Sequence, residues 1–280
     1  MTETDNPLLS PSSLPYGIPD YAAIKPEHYV PAFTAAFAEQ LEQINAITRV
    51  RSVPTFENTL EAWERTGEQL EYVANAFYTV SSADATSDIQ AIEEVLAPLY
   101  AAHNDAITLD AHLYARVKTV WETRDDRDYT PEQRYLIERR YAEMTHAGAG
   151  LDDEAKTRLK AFNARLASLT TAFEKNLLTD TNRLAPHFAD ASALAGATQG
   201  ELDAARAAAA ERGEEGYLLS LPLFTGHPLL ASLTNRETRE SIMAASVARA
   251  TEAAMMLSRV SRFVSEASSG CPVNRGSESR

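Results

Sequence analysis

The chain has little of what marks a secreted, membrane-spanning or nucleic-acid-binding protein. Its 280 residues contain one cysteine, Cys271, which excludes an intramolecular disulfide and favours a reducing compartment. No apolar run approaches the roughly 20 residues that a membrane-spanning helix needs, and the first residues lack the basic start and apolar centre of a signal peptide. The net charge of −14 argues against nucleic acid and against an anionic membrane surface. We therefore expect a cytoplasmic protein that binds neither.

Motifs for several kinds of catalysis are also missing. The zinc peptidase motif H-E-x-x-H needs two histidines one helical turn apart, with a glutamate as base. None of the six histidines is followed by glutamate, and no two are four residues apart; they are His28, His103, His112, His146, His187 and His227. The glycines at Gly148–Gly150 lack the rest of a phosphate-binding loop. We therefore expect no catalytic, cofactor-binding or metal-binding residue in this chain, and no zinc bound to it.

The remaining residues that could carry chemistry are better explained by structure. His103 lies on an apolar stripe and is predicted to be a core histidine, and His28, beside Pro26, a packing residue at a helix start. Cys271 has no histidine nearby in sequence, so a catalytic thiol is not favoured. Paired carboxylates occur at Asp125, Asp126, Asp128, Glu93 and Glu94. They fall in a polar loop and on a helix face, which favours a solvated surface over acid–base catalysis.

One long amphipathic helix organises the rest of the chain. From Asp152 to Asp180, apolar residues recur at steps of three and four, close to heptad spacing, with no glycine or proline between them. This seam consists of Ala155, Leu159, Phe162, Leu166, Leu169, Phe173 and Leu177. The charged residues between them, Lys156 included, suit the solvated face. Because such a stripe cannot be buried by one helix alone, other helices must pack against it.

Most of the remaining chain is predicted to supply those helices. Their predicted starts are Pro26, Thr55, Ser87, Asp110, Thr130, Thr198 and Asn235. Several of these combine a capping side chain with a partner three residues later, which is typical of a helix N-terminus. Gly67 lies inside the predicted second helix and indicates close approach to a neighbour. Pro98 is expected to kink the third.

A single segment, Tyr217–Leu221, reads as a strand. Its backbone groups need partners. Three alternatives stay open: it pairs with residues outside this chain, its edge holds an extended peptide, or it is a short extended connection hydrated on one side.

These elements predict an all-α fold, with predominantly long antiparallel helices and one short β segment. Residues 1–25 are predicted to form an extended proline-rich arm that lies on a core. Residues 26–252 form the helical region. Residues 253–280 lack periodicity and are rich in serine, arginine and glycine, which predicts a disordered tail or a frame-altered ending.

The order of segments resembles the N-terminal part of the thimet-oligopeptidase family of zinc metallopeptidases, in its peptidyl-dipeptidase and oligopeptidase A branch. The resemblance runs from Asn6 to about Thr251. The blocks that carry it are NPLL at Asn6–Leu9, LPYGIPDYAAIKPEHYVPAF at Leu14–Phe33, PTFENTLEAWERTG at Pro54–Gly67, the stretch Leu96–Lys118, KTRLKAFNARLASLTTAFEKNLL at Lys156–Leu178 and ASLTNRETRE at Ala231–Glu240.

The resemblance implies the N-terminal half of a two-lobed channel peptidase that cleaves short peptides with one zinc ion. It places the zinc ligands and the catalytic glutamate in the later half of the family's chain, so this chain is expected to be inactive alone. Expected partners are short peptides and the missing catalytic half. The alternatives are a helical peptide-binding or interaction module without catalysis, and a decayed product with an exposed apolar patch.

Overall fold

Helices make up most of the chain in the computed structural model, which describes residues 6–221 and 227–249. The helices are α1 (Pro26–Thr48), α2 (Ala62–Glu64), α3 (Glu68–Ala83), α4 (Ser87–Thr108), α5 (Ala111–Glu122), α6 (Pro131–Ala147), α7 (Asp153–Arg183) and α8 (Gln199–Glu211). Residues 236–249 are also helical. The predicted all-α class is confirmed, and the described chain divides into two compact units, between Ser168 and Leu169.

Local capping explains where most of these helices begin. The Thr130 hydroxyl accepts a hydrogen bond from the Gln133 amide at 3.3 Å, and the Gln133 side chain accepts one from the Thr130 amide at 3.0 Å. The same reciprocal pair opens α8 at Thr198. Asp110 Oδ1 accepts a bond from Leu113 N at 2.6 Å and starts α5. Each cap satisfies backbone donors that lack a partner in the first turn.

The segment from Phe56 onward differs from its prediction. The sequence predicts one helix that starts at Thr55 and continues through Gly67. Instead, a π-helical turn (Phe56–Glu61) runs into α2, and the helical conformation is then interrupted before α3. Gly67 lies at this break with a φ of +84°, in the left-handed region that favours glycine. A Cβ there would overlap the Gln40 side chain. The close approach predicted for Gly67 is therefore confirmed, although it ends a helix instead of lying inside one.

The first unit has two hydrophobic cores. One packs α1, α3 and α4 around the fully buried rings of Phe33 and Phe77, whose centroids lie 5.8 Å apart. Leu8 is also fully buried there, so the start of the arm lies on this core as predicted. The other core packs the π-helical turn, α5 and α6 around Leu60, Val117 and Ile137.

The long helix α7 is confirmed over Asp153–Arg183. Asp152 caps it, since its Oδ1 accepts a bond from Ala155 N at 2.8 Å. Within the first unit, the seam residue Ala155 is buried, whereas Leu159, Phe162 and Leu166 are half-buried.

The second unit contains a two-stranded antiparallel sheet, β1 (His187–Phe188) and β2 (Tyr217–Leu218). His187 lies opposite Leu218 and Phe188 opposite Tyr217. Of the three alternatives for Tyr217–Leu221, pairing outside the chain is not needed for Tyr217 and Leu218, because their partner is β1. The idea that an edge of this segment holds a peptide stays a prediction.

The end of the described chain agrees with its sequence pattern. Asn235 Oδ1 accepts a bond from Thr238 N at 3.2 Å, so the predicted cap of the last helix is confirmed. The predicted tail, 253–280, lies outside the described residues, and the predicted domain bounds stay a prediction. Within residues 6–221 and 227–249, no helix has the length and apolar character needed to cross a membrane.

Candidate functional site

The two buried histidines serve packing and capping. His28 Nδ1 accepts a hydrogen bond from Lys25 N at 3.0 Å, at the first turn of α1, as its prediction requires. His103 lies in the core of the first unit, 4% exposed and stacked on Phe37 with ring centroids 4.6 Å apart. Its Nε2 lies 2.7 Å from Gln40 Oε1, and burial lowers its pKa below the ordinary value. His103 is thus a neutral core histidine, with Nε2–H donating to Gln40.

The other four histidines either contact nearby backbone groups or are exposed on helices. His187 Nε2 lies 2.7 Å from the Glu215 carbonyl oxygen. His227 Nδ1 accepts a bond from Leu229 N at 3.2 Å, and burial lowers its pKa. His112 and His146 are exposed on α5 and α6. Among residues 6–221 and 227–249, no group of three histidine, cysteine, aspartate or glutamate side chains could hold a metal ion, so the described residues do not fit zinc.

The carboxylates singled out in the sequence are surface groups. Asp125, Asp126 and Asp128 are exposed, and Asp125 Oδ1 pairs with Arg134 Nη1 at 3.1 Å. Within α4, Glu94 is exposed and Glu93 is half-buried. Gly148 ends α6 with a φ of +99°, which explains the glycines there as a helix C-cap. Cys271 lies outside the described residues.

A pocket of about 430 Å³ lies in the first unit, between the α4–α5 corner and the first turns of α7. Its charged and polar lining consists of Asp110, His112, Asp153, Lys156, Thr157 and Lys160. Ala106, Leu109 and Ala111 supply its apolar wall. The pocket therefore combines both signs of charge with a small apolar surface.

Two helix starts build this pocket. Asp110 caps α5 through Oδ1, which leaves its other carboxylate oxygen for the pocket. Asp152 caps α7, so Asp153 lies in the first turn and Lys156 follows three residues later, with Lys160 four residues beyond. Residues three and four apart share one face of a helix. Asp153, Lys156 and Lys160 thus form a charged strip along one wall.

Lys156 contradicts its sequence prediction. A solvated position was expected, but the residue is only 9% exposed. The physical reason is tertiary: Lys156 and the α4–α5 corner line one pocket, and Asn163 of α7 bonds Asp105 of α4 at 2.6 Å. Among the described residues, the Lys156 ammonium has no hydrogen bond or ion pair of 4 Å or less, and the same is true of the Asp153 carboxylate. Lys156 and Asp153 are therefore an unpaired cation and an unpaired anion in the pocket lining.

Lys160 is in a different position, because it lies near a buried carboxylate. Asn163 Nδ2 donates to Asp105 Oδ1 at 2.6 Å, across the α4–α7 contact. Burial raises the pKa of Asp105, while the Asn163 bond and the charge of Lys160 act in the opposite direction. Lys160 thus offsets the negative charge of Asp105, and Lys156 remains the cation without a counterpart.

Comparison with known proteins gives a consistent set of relatives. The chain is 36% identical over 246 residues to the dipeptidyl carboxypeptidase of Salmonella typhimurium and 33% identical over 248 residues to that of Escherichia coli. It is 27% identical over 251 residues to oligopeptidase A of Haemophilus influenzae. Each match covers 88% of this chain and 36% of the relative, so the chain spans little more than a third of the proteins it matches. No family model matches the chain.

Proposed function

We propose that this chain is the N-terminal region of a zinc metallopeptidase that cleaves short peptides. Over most of its length it is homologous to dipeptidyl carboxypeptidases and to oligopeptidase A, which are members of the thimet-oligopeptidase family. The observation that carries the proposal is the match to two dipeptidyl carboxypeptidases, at 36% and 33% identity over 88% of the chain. The peptidyl-dipeptidase reaction, removal of C-terminal dipeptides, is the activity proposed for the complete protein.

In this proposal the chain forms one wall of a channel between two lobes, and the chemistry belongs to another part of the protein. The sequence contains no H-E-x-x-H motif, and the described residues hold no cluster that fits a metal ion. When bound in the catalytic part, zinc supplies an activated water for peptide hydrolysis. This chain's own residues restrict entry to slender peptides and position them, and the chain alone does not hydrolyse them.

A chimeric enzyme tests the proposal. Residues 6–251 of this chain replace the homologous segment of the Salmonella typhimurium dipeptidyl carboxypeptidase, and release of C-terminal dipeptides from short peptides is measured with and without a metal chelator. We expect chelator-sensitive activity within about tenfold of the parent enzyme, equivalent to about 1.4 kcal/mol in the barrier. The isolated chain serves as the inactive reference.

A matched control separates a wrong proposal from a faulty junction. The same replacement is made with the equivalent segment of the Escherichia coli enzyme. If that chimera is active and this chain's chimera is folded, binds zinc and is inactive, the proposed role is overturned. Hydrolysis by the isolated chain would contradict the proposal that the catalytic residues lie in another part of the protein.

The second candidate function is a helical peptide-binding module without catalysis. The observation that favours it is the pocket at the α4–α5 corner, which lies wholly within the first unit and has charged groups without partners. Peptide affinity in the isolated chain, together with an inactive chimera, would favour this function over the first.

We place the protein in the cytoplasm, as its single cysteine favours a reducing compartment. Its net charge of −14 supports the absence of nucleic-acid and membrane partners.

A further inference from the structure

We propose that the pocket between the α4–α5 corner and the start of α7 binds a free short peptide in its zwitterionic form. The Lys156 ammonium receives the peptide carboxylate, and the Asp153 carboxylate receives the peptide amine. The choice of a peptide over other zwitterions rests on the proposed function. The charges and the dimensions of the pocket are independent of it.

The first argument is the state of Lys156. Lys156 is nine-tenths buried, mostly along its alkyl stem, and a lysine buried to this extent usually has an ion partner. This one has none among the described residues, and it lines a pocket that is large enough for a ligand. The ammonium has no hydrogen bond and is not sealed from water, so a solute can reach it. A ligand carboxylate would supply the missing partner.

The second argument is that Asp153 and Lys156, two of the four Asp and Lys residues that line the pocket, stay apart. Asp153 and Lys156 are three residues apart on one helix, a spacing that commonly produces an ion pair. They form no pair within 4 Å, and each remains available to a ligand. A purely anionic ligand would meet repulsion from Asp153, and a cationic one would meet repulsion from Lys156. A molecule with a positive and a negative end satisfies both.

The third argument is the field around the carboxylate position. Lys156 follows the start of α7, and the pocket also contains the start of α5 at Ala111. Both helix N-termini carry partial positive charge, part of which their capping carboxylates, Asp110 and Asp152, offset. Lys160 adds a second cation on the same face, partly offset by Asp105.

The fourth argument is the size and polarity of the pocket. A volume of about 430 Å³ lies towards the lower end of small-molecule sites, which span roughly 300–1,000 Å³. This suits a dipeptide or a tripeptide better than a longer chain. Ala106, Leu109 and Ala111 offer small apolar contacts, which accommodate short side chains. A dipeptide is also the product that the proposed reaction releases, which makes it a relevant ligand for this pocket.

The test is a titration of the full chain with alanyl-alanine, followed by calorimetry and by NMR shifts of lysine side chains. The same titration uses the C-terminal amide and the N-acetylated form of the dipeptide. Lys156→Met removes the ammonium and keeps the apolar stem, and Asp153→Asn removes the anion. Lys118→Met is the matched control, because Lys118 is an exposed lysine of the same unit with a long 3.8 Å pair to Glu122.

We expect the unblocked dipeptide to bind and each blocked form to bind at least about tenfold more weakly, as expected for loss of one charged hydrogen bond. Lys156→Met should weaken binding by a similar factor and Lys118→Met by less than about twofold. Equal binding of the amide, equal binding by Lys156→Met and Lys118→Met, or no binding of the dipeptide would each overturn the proposal. Unchanged far-ultraviolet circular dichroism and tryptophan fluorescence confirm that the variants are folded.

This outcome is separable from that of the proposed function. An active chimera combined with no dipeptide binding would remove the pocket proposal alone. Dipeptide binding through Lys156 combined with an inactive chimera would remove the peptidase proposal and leave the pocket as a peptide site.

Discussion

Replacing Arg116 by methionine should destabilise the first unit strongly, because this arginine holds the π-helical turn in place. The residue is 7% exposed. Its Nη1 donates to the Val50 carbonyl oxygen at 2.8 Å, and its Nη2 donates to Asn58 Oδ1 at 2.7 Å and to Thr59 Oγ1 at 3.2 Å. None of these acceptors is a carboxylate, and Arg116 Nε has no partner among the described residues.

The magnitude follows from which acceptors lose their donor. Val50 is exposed, so water replaces the arginine there at little cost. Asn58 Oδ1 keeps a bond from Thr55 N at 2.8 Å, whereas Thr59 Oγ1 is fully buried and loses its donor, and an acceptor left without a donor costs about 1–3 kcal/mol. Removing a buried cation without a counter-ion returns part of this free energy. We expect a net loss of about 2 kcal/mol in the free energy of unfolding.

Tryptophan fluorescence during urea unfolding measures this loss for the first unit alone. The chain has two tryptophans, Trp63 and Trp121, and both lie in that unit. Arg139→Met is the control, since Arg139 is 57% exposed at its side chain and its pair with Glu143 is worth about 0–1 kcal/mol. A loss below about 1 kcal/mol for Arg116→Met, equal to that of the control, would refute the reasoning and mean that water already satisfies the turn.

Three further predictions concern glycine and histidine. Gly67→Ala should cost about 1–2 kcal/mol in urea unfolding, because of the left-handed φ of +84°, while the flexible Gln40 amide moves away from the added Cβ; a cost below about 0.5 kcal/mol would contradict the left-handed conformation. Gly196→Ala should destabilise the second unit by about 2–4 kcal/mol, because its Cβ would overlap the Ser232 carbonyl oxygen at a φ of +102°. Thermal unfolding by circular dichroism should show that loss while tryptophan fluorescence keeps the first transition unchanged. The pKa of His103 is lowered by burial, so the unfolded chain binds the proton more readily and stability falls as pH drops below about 6.5. His103→Gln should reduce this loss between about pH 7 and 5, and equal pH profiles for the two proteins would show that His103 stays hydrated.

Features determined by neighbouring residues could be predicted from sequence. The starts at Asp110, Thr130 and Thr198 are such cases, since each depends on a side chain and a backbone amide within three residues. The start of α1 at Pro26 is another, because the fixed φ of proline suits the first turn of a helix. Periodicity and capping contain this information directly.

Features determined by distant residues could not be predicted from sequence. The strand β1 is two residues long, shows no periodicity and pairs across a separation of about thirty residues, which no local pattern indicates. The burial of Lys156 depends on the α4–α5 corner, which reaches α7 only through tertiary packing. The candidate pocket was therefore missed, and a lysine directly after Ala155, the first seam residue, was the only signal in the sequence.

The π-helical turn at Phe56–Glu61 has a consequence for comparing related sequences. A π turn closes over five residues where an α turn closes over four, so it accommodates one additional residue in the same helical path. Loss of one residue between Thr55 and Ala62 would convert the turn to an ordinary α-helix and leave Trp63 on its present face. Insertions and deletions of a single residue should therefore concentrate here among homologues, in a region where a helix normally tolerates neither.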